Sequence, residues 1–281
     1  MYAIPLSIII INRHDKSLLE HCLYSIKTAT RSIEAEVIVI CNHLTEHSAN
    51  KIQEIYPECL INEEKDNTKF YSAINKAINT AKGENILFVH ADTIIGESTL
   101  RSVLLFMDEH NDAGAVGLKN INGHGQFLPE SMRSFPTPWF LFCKLFGLSK
   151  MFPKSKLFAK NTVPFLKTNK TKTVEILSDN FMLIKHEVLK QTEGFDEALF
   201  MYGADMELCL RIQQEGFNNY YIPELVLNYY GTQEKFKYKI DFFNAFYQAM
   251  LIIYKKHPQK NGILISQIIR LSLAFKKIQY K

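Results

Sequence analysis

The 281-residue sequence is poor in the features that most readily assign a protein to a class. Its five cysteines (Cys22, Cys41, Cys59, Cys143 and Cys209) are odd in number and scattered, with no CxxC pair. That argues against a disulfide framework and a zinc site, and fits a reducing cytoplasm. No apolar run approaches the roughly 20 residues needed to cross a bilayer. The N-terminus has no basic leader and carries Pro5, so it reads as a strand and not as a signal peptide. Neither GxGxxG nor a P-loop is present, which lowers dehydrogenase and NTPase readings. A net charge of +4 implies no general nucleic-acid field. Acid is missing altogether from residues 131–174, which hold nine Lys or Arg and eight aromatics, among them Trp139, Phe140, Phe142 and Phe146. This composition suits a basic surface loop with a few core anchors. It equally suits an interfacial segment, with aromatics at headgroup depth and lysines on anionic lipid or a diphosphate.

What is present is an alternation of periods. Hydrophobic residues make up 47% and charged residues 22%, ordinary for a globular chain able to bury a sizeable core. Residues 6–11 form a β-branched run. A capping box at 17–20 then opens helical spacing through Leu19, Cys22, Leu23 and Ile26. Strands follow at 36–41, 59–62, 86–90 and 115–118, separated by helices at 45–56, 69–82 and 98–109. Apolar strands alternating with helices predict βαβ units and a mostly parallel sheet. Right-handed crossovers put all the strand C-terminal ends on one side, so Asn12, Cys41 and Asp92 are expected to gather at one crevice. The stretch Ile-Leu-Phe-Val-His-Ala-Asp-Thr at 86–93 is the most telling: a buried strand delivering one carboxylate to that edge. Such a carboxylate can hold Mg²⁺ or Mn²⁺ against a diphosphate, or merely cap the next helix. The C-terminal 45 or so residues read as two helices, the second over 263–277 with an apolar face flanked by Arg270, Lys276 and Lys277.

In order and spacing, several short motifs across residues 6–257 resemble the inverting family-2 glycosyltransferases with the GT-A fold, most of all their rhamnosyltransferase-like branch. Ser7 to Asn12 and Glu36 to Asn42 stand for the first two strands. Asn67, Phe70, Ala73, Asn75 and Ile78 match the donor-side helix, and His90-Ala91-Asp92-Thr93 the degenerate DxD element. Arg133-Ser134-Phe135-Pro136-Thr137 resembles an Arg-x-Phe-Pro segment. The strongest match runs from Gly194-Phe195-Asp196-Glu197 through Asp205-Met206-Glu207-Leu208-Cys209-Leu210-Arg211.

The resemblance implies an α/β fold of the GT-A type over residues 1–235: a nucleotide-diphospho-sugar transferase with a mostly parallel mixed sheet flanked by helices. Residues 131–174 would then be an insertion on the acceptor or membrane side, and 236–281 a C-terminal helical extension packed on the domain. It implies transfer of a sugar, with inversion, from a nucleotide-diphosphate donor (UDP- or dTDP-linked ahead of GDP-linked) to a saccharide or lipid-linked acceptor in surface polysaccharide biosynthesis. The protein would be cytoplasmic, at most peripheral on an anionic membrane face, and would not bind nucleic acid. Asp205 stands where the family has its catalytic base; capping the helix is its alternative role. Asn12, Arg13, Cys41, Asn42, Lys69, Asn75, His90, Ala91 and Asp92 fall on the donor side, and Asp179 and Asn180 on the acceptor side. Asp92, with His90 and Asn228 as further ligands, would hold a divalent Mn or Mg. Glu207 and Arg211 suit an i,i+4 ion pair with a structural role.

Departures from the pattern are equally visible. Cys41 replaces an Asp that in relatives helps read the nucleotide base, Lys69 occupies a glycine position, Ala204 replaces the first member of the acid pair, and Asn228 stands for a His. They motivate a weakly held cation. They also leave open a non-catalytic nucleotide-sugar-binding or scaffolding protein on the same fold.

Overall fold

The computed structural model describes residues 2–12, 16–41, 46–64, 70–137, 139–140, 143, 148–152, 169–199, 202–231, 239–257 and 267. Their strands are β1 (Ile4–Asn12), β2 (Ala35–Cys41), β3 (Leu60–Glu63), β4 (Gly83–His90), β5 (Thr93–Ile94), β6 (Ala113–Ile121), β7 (Met132–Arg133), β8 (Lys172–Val174), β9 (Ile176–Leu177), β10 (Phe181–Lys185) and β11 (Asn218–Tyr229). Between them run α1 (Lys16–Ala29), α2 (Glu46–Ile55), α3 (Phe70–Thr80), α4 (Thr99–Glu109), α5 (Leu148–Met151), α6 (His186–Gln191), α7 (Ala204–Gln214) and α8 (Lys239–Lys256).

The main sheet runs β3-β2-β1-β4-β10-β6-β11-β5, with β8 also paired to β11. Its first four strands are parallel, so Asn12 lies beside Cys41 and Ile11 beside His90 at one C-terminal edge. Strand β10 enters antiparallel between β4 and β6. That reversal brings its beginning, and the Asp179–Asn180 turn before it, to the same edge, where the Asn180 carbonyl accepts the His90 backbone N–H at 3.2 Å. Strands β7 and β9 form a small second sheet.

Alternation along the strands divides the core between the two faces. Ile8, Ile10, Val37, Val39, Leu87 and Val89 face α1, α2 and α4. Ile9, Ile11, Ile38, Ile40, Ile86 and Phe88 face α3, α6, α7 and α8. Helix α8 belongs to this second layer through Tyr247, Met250, Ile253 and Tyr254, all buried. The helix read from the sequence at 263–277 lies outside the described residues, as does most of the basic segment at 141–168. In its described parts Trp139, Met151 and Phe152 are exposed. Among the described residues no helix is long and apolar enough to cross a membrane.

Candidate active site

Strand β4 ends at the sheet edge and delivers His90, Ala91 and Asp92. The Ala91 backbone N–H donates to Ile11 O at 3.0 Å, which extends the parallel ladder one step past the strand. Asp92 is gripped from beyond, where the Tyr230 backbone N–H donates to its carbonyl at 2.7 Å. The oxygen Asp92 Oδ1 is buried with no hydrogen-bond partner. His90 Nε2 lies 3.3 Å from Asp179 Oδ2, within ion-pair range but without hydrogen-bond alignment. The expected acceptor-side acid Asp179 thus stands beside the imidazole at the end of β4. Asn180 is buried, and its carbonyl also accepts the Thr93 hydroxyl at 3.4 Å, so it ties β10 to the end of β4.

Asp205 sits in the first turn of α7, where its Oδ1 accepts the Met206 backbone N–H at 2.8 Å, but it is not the N-cap residue. Gly203 is the N-cap, at φ +83, a left-handed conformation in which a side chain would be strained. A Cβ there would also press on Ile253 and Ala249 of α8. Through its other oxygen Asp205 pairs with Arg133 of β7, a residue singled out from sequence only as part of the Arg-x-Phe-Pro resemblance. Burial pushes the Asp205 carboxyl above its usual range, and Asp179 adds to that push; the Arg133 charge between them works the other way. The segment carrying Arg133 is braced by α8, where the Tyr254 hydroxyl donates to Pro136 O and its ring packs edge-on to Phe135, centroids 5.2 Å apart.

Three sequence expectations are corrected. Cys41 follows Val37 and Val39 on the α1–α2 face, fully buried, and its thiol donates to Asn62 O at 3.8 Å. Burial, with Glu63 nearby, pushes that thiol up to about 11, so it remains protonated and inside the core instead of facing a nucleotide base. Asn75 spends both ends of its amide on the Gly194–Phe195 turn, donating to Phe195 O and accepting from Phe195 N, each at 2.8 Å. Its role is to hold that turn against α3. Asn228 pairs with Ile94 of β5, one step on from Asp92 and Thr93, and alternation turns its side chain to the opposite face from that of Tyr229. Of the other expected positions, Asn12 is buried at the edge with Oδ1 unpartnered, while Arg13, Asn42 and Lys69 lie outside the described residues. Glu207 and Arg211 do form their i,i+4 pair, with Arg211 Nε 2.8 Å from Glu207 Oε1. His257 stands 3.2 Å from the same oxygen, and Arg211 also donates to Gly194 O at 2.7 Å.

Among the described residues no three His, Cys, Asp or Glu converge as a metal cage. The Asp92 carboxylate, with one buried oxygen unpartnered, fits a hard cation completed by substrate phosphates.

A family model described as glycosyltransferase like family 2 matches residues 4–272. The chain belongs to that family. The rhamnosyltransferase WbbL of Escherichia coli (strain K12) is 24% identical over 164 residues, 57% of this chain and 58% of that protein. The poly(ribitol-phosphate) beta-glucosyltransferase of Bacillus spizizenii is 34% identical over 133 residues, 45% of this chain and 21% of that protein. The chain thus spans well under two thirds of these family members. Among solved structures, the mannosyltransferase PcManGT from Pyrobaculum calidifontis, in complex with GDP-Man and Mn²⁺, aligns over 99% of this chain and 76% of its own, with TM-score 0.60 and 16% identity. S. aureus TarS (residues 1–349) with UDP aligns over 96% and 70%, with TM-score 0.57 and 16% identity. At such identities the likeness concerns the fold, which is the GT-A fold of family 2.

Proposed function

We propose that the protein is an inverting glycosyltransferase. It moves a sugar from a nucleotide-diphosphate donor to a hydroxyl of a saccharide or lipid-linked acceptor during surface polysaccharide synthesis. What supports the reading above all is that Asp92, at the end of β4, keeps a buried carboxylate oxygen without a partner, while the buried Asp205 is held by Arg133. Family membership and the names of the relatives support the reaction class and the polysaccharide context.

The donor diphosphate lies at the C-terminal edge between Asn12 and Asp92, the side on which open α/β sheets bind ligands. A divalent cation bound by Asp92, with His90 beside it, would neutralise charge on the departing diphosphate. Mn²⁺ and nucleotide or nucleotide-sugar ligands in the solved neighbours support that assignment. UDP- and dTDP-linked donors rank ahead of GDP-linked ones. The acceptor oxygen attacks the anomeric carbon from the face opposite the diphosphate. The carbon–oxygen bond to the acceptor forms as the bond to diphosphate breaks, and the hydroxyl proton passes to Asp205. A single displacement of this kind inverts the anomeric centre. Arg133 opposes the upward push of burial on the Asp205 carboxyl, and so favours the ionised form that a base needs. The protein works in the cytoplasm, and the exposed Trp139, Met151 and Phe152 within the basic segment support peripheral contact with an anionic membrane face.

The test is Asp205→Asn, with nucleoside-diphosphate release from a bound donor as the readout. Turnover should fall by roughly 10²- to 10⁴-fold while donor affinity stays at the wild-type value. Full turnover in the variant would remove Asp205 from the mechanism.

A further inference from the structure

Arg133 lies on a strand too short to place it. Strands β7 and β9 pair Met132 with Leu177 and Arg133 with Ile176, and a two-stranded ribbon of this length is not stable by itself. The Arg133 Nε is buried without a hydrogen-bond partner among the described residues, so the direction of the guanidinium follows from Asp205 and from the backbone around it. Just beyond, the Phe135 backbone N–H donates to Glu175 Oε2 at 2.8 Å, and the buried Pro136 carbonyl accepts the Tyr254 hydroxyl. Phe135 and Tyr254 also pack edge-on, and both are buried. A buried carbonyl without a donor is costly, so this bond pins the segment to α8. The same helix meets the other half of the ion pair. A Cβ at Gly203, two residues before Asp205, would fall 3.1 Å from Ile253 Cδ1 and 3.3 Å from Ala249 Cβ.

We infer that Tyr254 is a positioning residue for the reaction: its hydroxyl pins Pro136 to α8 and thereby holds Arg133 against the Asp205 carboxylate. The inference rests on the proposed role of Asp205 as the base. Tyr254 acts through the backbone of residues 133–136, and its neighbour Ile253 sets the start of α7 from the same helix. A displacement of about 1 Å at a reacting group can cost roughly 10²-fold in rate, so one lost hydrogen bond in this brace is enough to show in turnover. Helix α8 thus belongs to the working site as well as to the core.

The experiment is a set of mutant cycles on the full chain, read by urea denaturation. The interaction between Arg133→Ala and Asp205→Ala is measured with Tyr254 in place and again in the Tyr254→Phe background. Tyr254→Phe keeps the ring against Phe135 and removes only the hydroxyl. The interaction should fall to about half or less. A tyrosine that served the fold alone would lower the stability of every variant equally and leave the interaction unchanged, which would overturn the inference. The second readout is nucleoside-diphosphate release from UDP-, dTDP- and GDP-sugars with Mn²⁺. Tyr254→Phe should lower kcat about tenfold and leave the donor KM at its wild-type value. An unchanged kcat, or a donor KM that rises in step with the loss, would equally overturn it. Asp205→Asn separates this inference from the reading beneath it. If that variant turns over like wild type, Asp205 is not the base and both fall. If it loses turnover while Tyr254→Phe does not, only the role of Tyr254 falls.

Discussion

Arg133 and Asp205, 72 residues apart in the chain, meet as an ion pair between the small β7–β9 sheet and the first turn of α7. Neither element alone would hold the pair. Gly203 lets α7 begin close against α8, and Tyr254 of α8 fastens the segment just after Arg133, so one helix fixes both partners.

This arrangement sets the sign of a pH effect. A base must be ionised to act, and activity rises with pH through the pKa of that base in the free enzyme. Burial raises the Asp205 carboxyl and Arg133 opposes the rise. Arg133→Gln removes the opposition, so the acid limb of the kcat/KM profile should move to higher pH. A limb that stays put would mean that Arg133 does not tune the base.

The Glu207–Arg211–His257 cluster should behave as framework. Glu207 is 2% exposed and its carboxylate meets both Arg211 and His257, while Arg211 also holds Gly194 O. Glu207→Ala strands a half-buried guanidinium and should cost about 3 kcal/mol, read by chemical denaturation. The remaining folded protein should bind donor normally; a selective loss of donor affinity would instead put Glu207 in the site.

Restoring the aspartate that relatives carry at position 41 should harm this protein. Cys41 lies in the apolar layer under α1 and α2, where an unpaired carboxylate has no compensating partner. Cys41→Asp should lower stability by about 2 kcal/mol or more and leave donor-base preference unchanged. A sharpened preference among UDP-, dTDP- and GDP-sugars would show that the residue does face the nucleotide.

The fold was largely legible because its signal is local. Residues 8–11 and 86–89 are apolar throughout, as strands buried on both faces must be, and the helices between them carry their own periodicity. The reversal at β10 was not legible, since Phe181-Met182-Leu183-Ile184 is equally apolar in either direction. Strand β11 mixes aromatics, polar residues and Pro223, and its length emerges only from pairing with β6, β8 and β5. The same limit governs the site. Asp92 and Asp205 stand out because each follows or opens a regular element. The partners that hold them, the Tyr230 backbone N–H and Arg133, are far away in sequence and chosen by packing. Cys41 was misread because a family position was taken as a side-chain direction; its place after Val37 and Val39 already assigned it to the inner face.

The most direct measurement is a thermal-shift panel of UDP-, dTDP- and GDP-sugars, each with and without Mn²⁺, on wild type and Asp92→Ala. A ligand that binds only the folded state raises the melting temperature by mass action, by about 2.7 kcal/mol of stabilisation at a hundred times its Kd. The account predicts stabilisation by one class of donor, strengthened by Mn²⁺ in the wild type and lost in Asp92→Ala. Equal stabilisation of both proteins, or none by any donor, would contradict a donor site at Asp92.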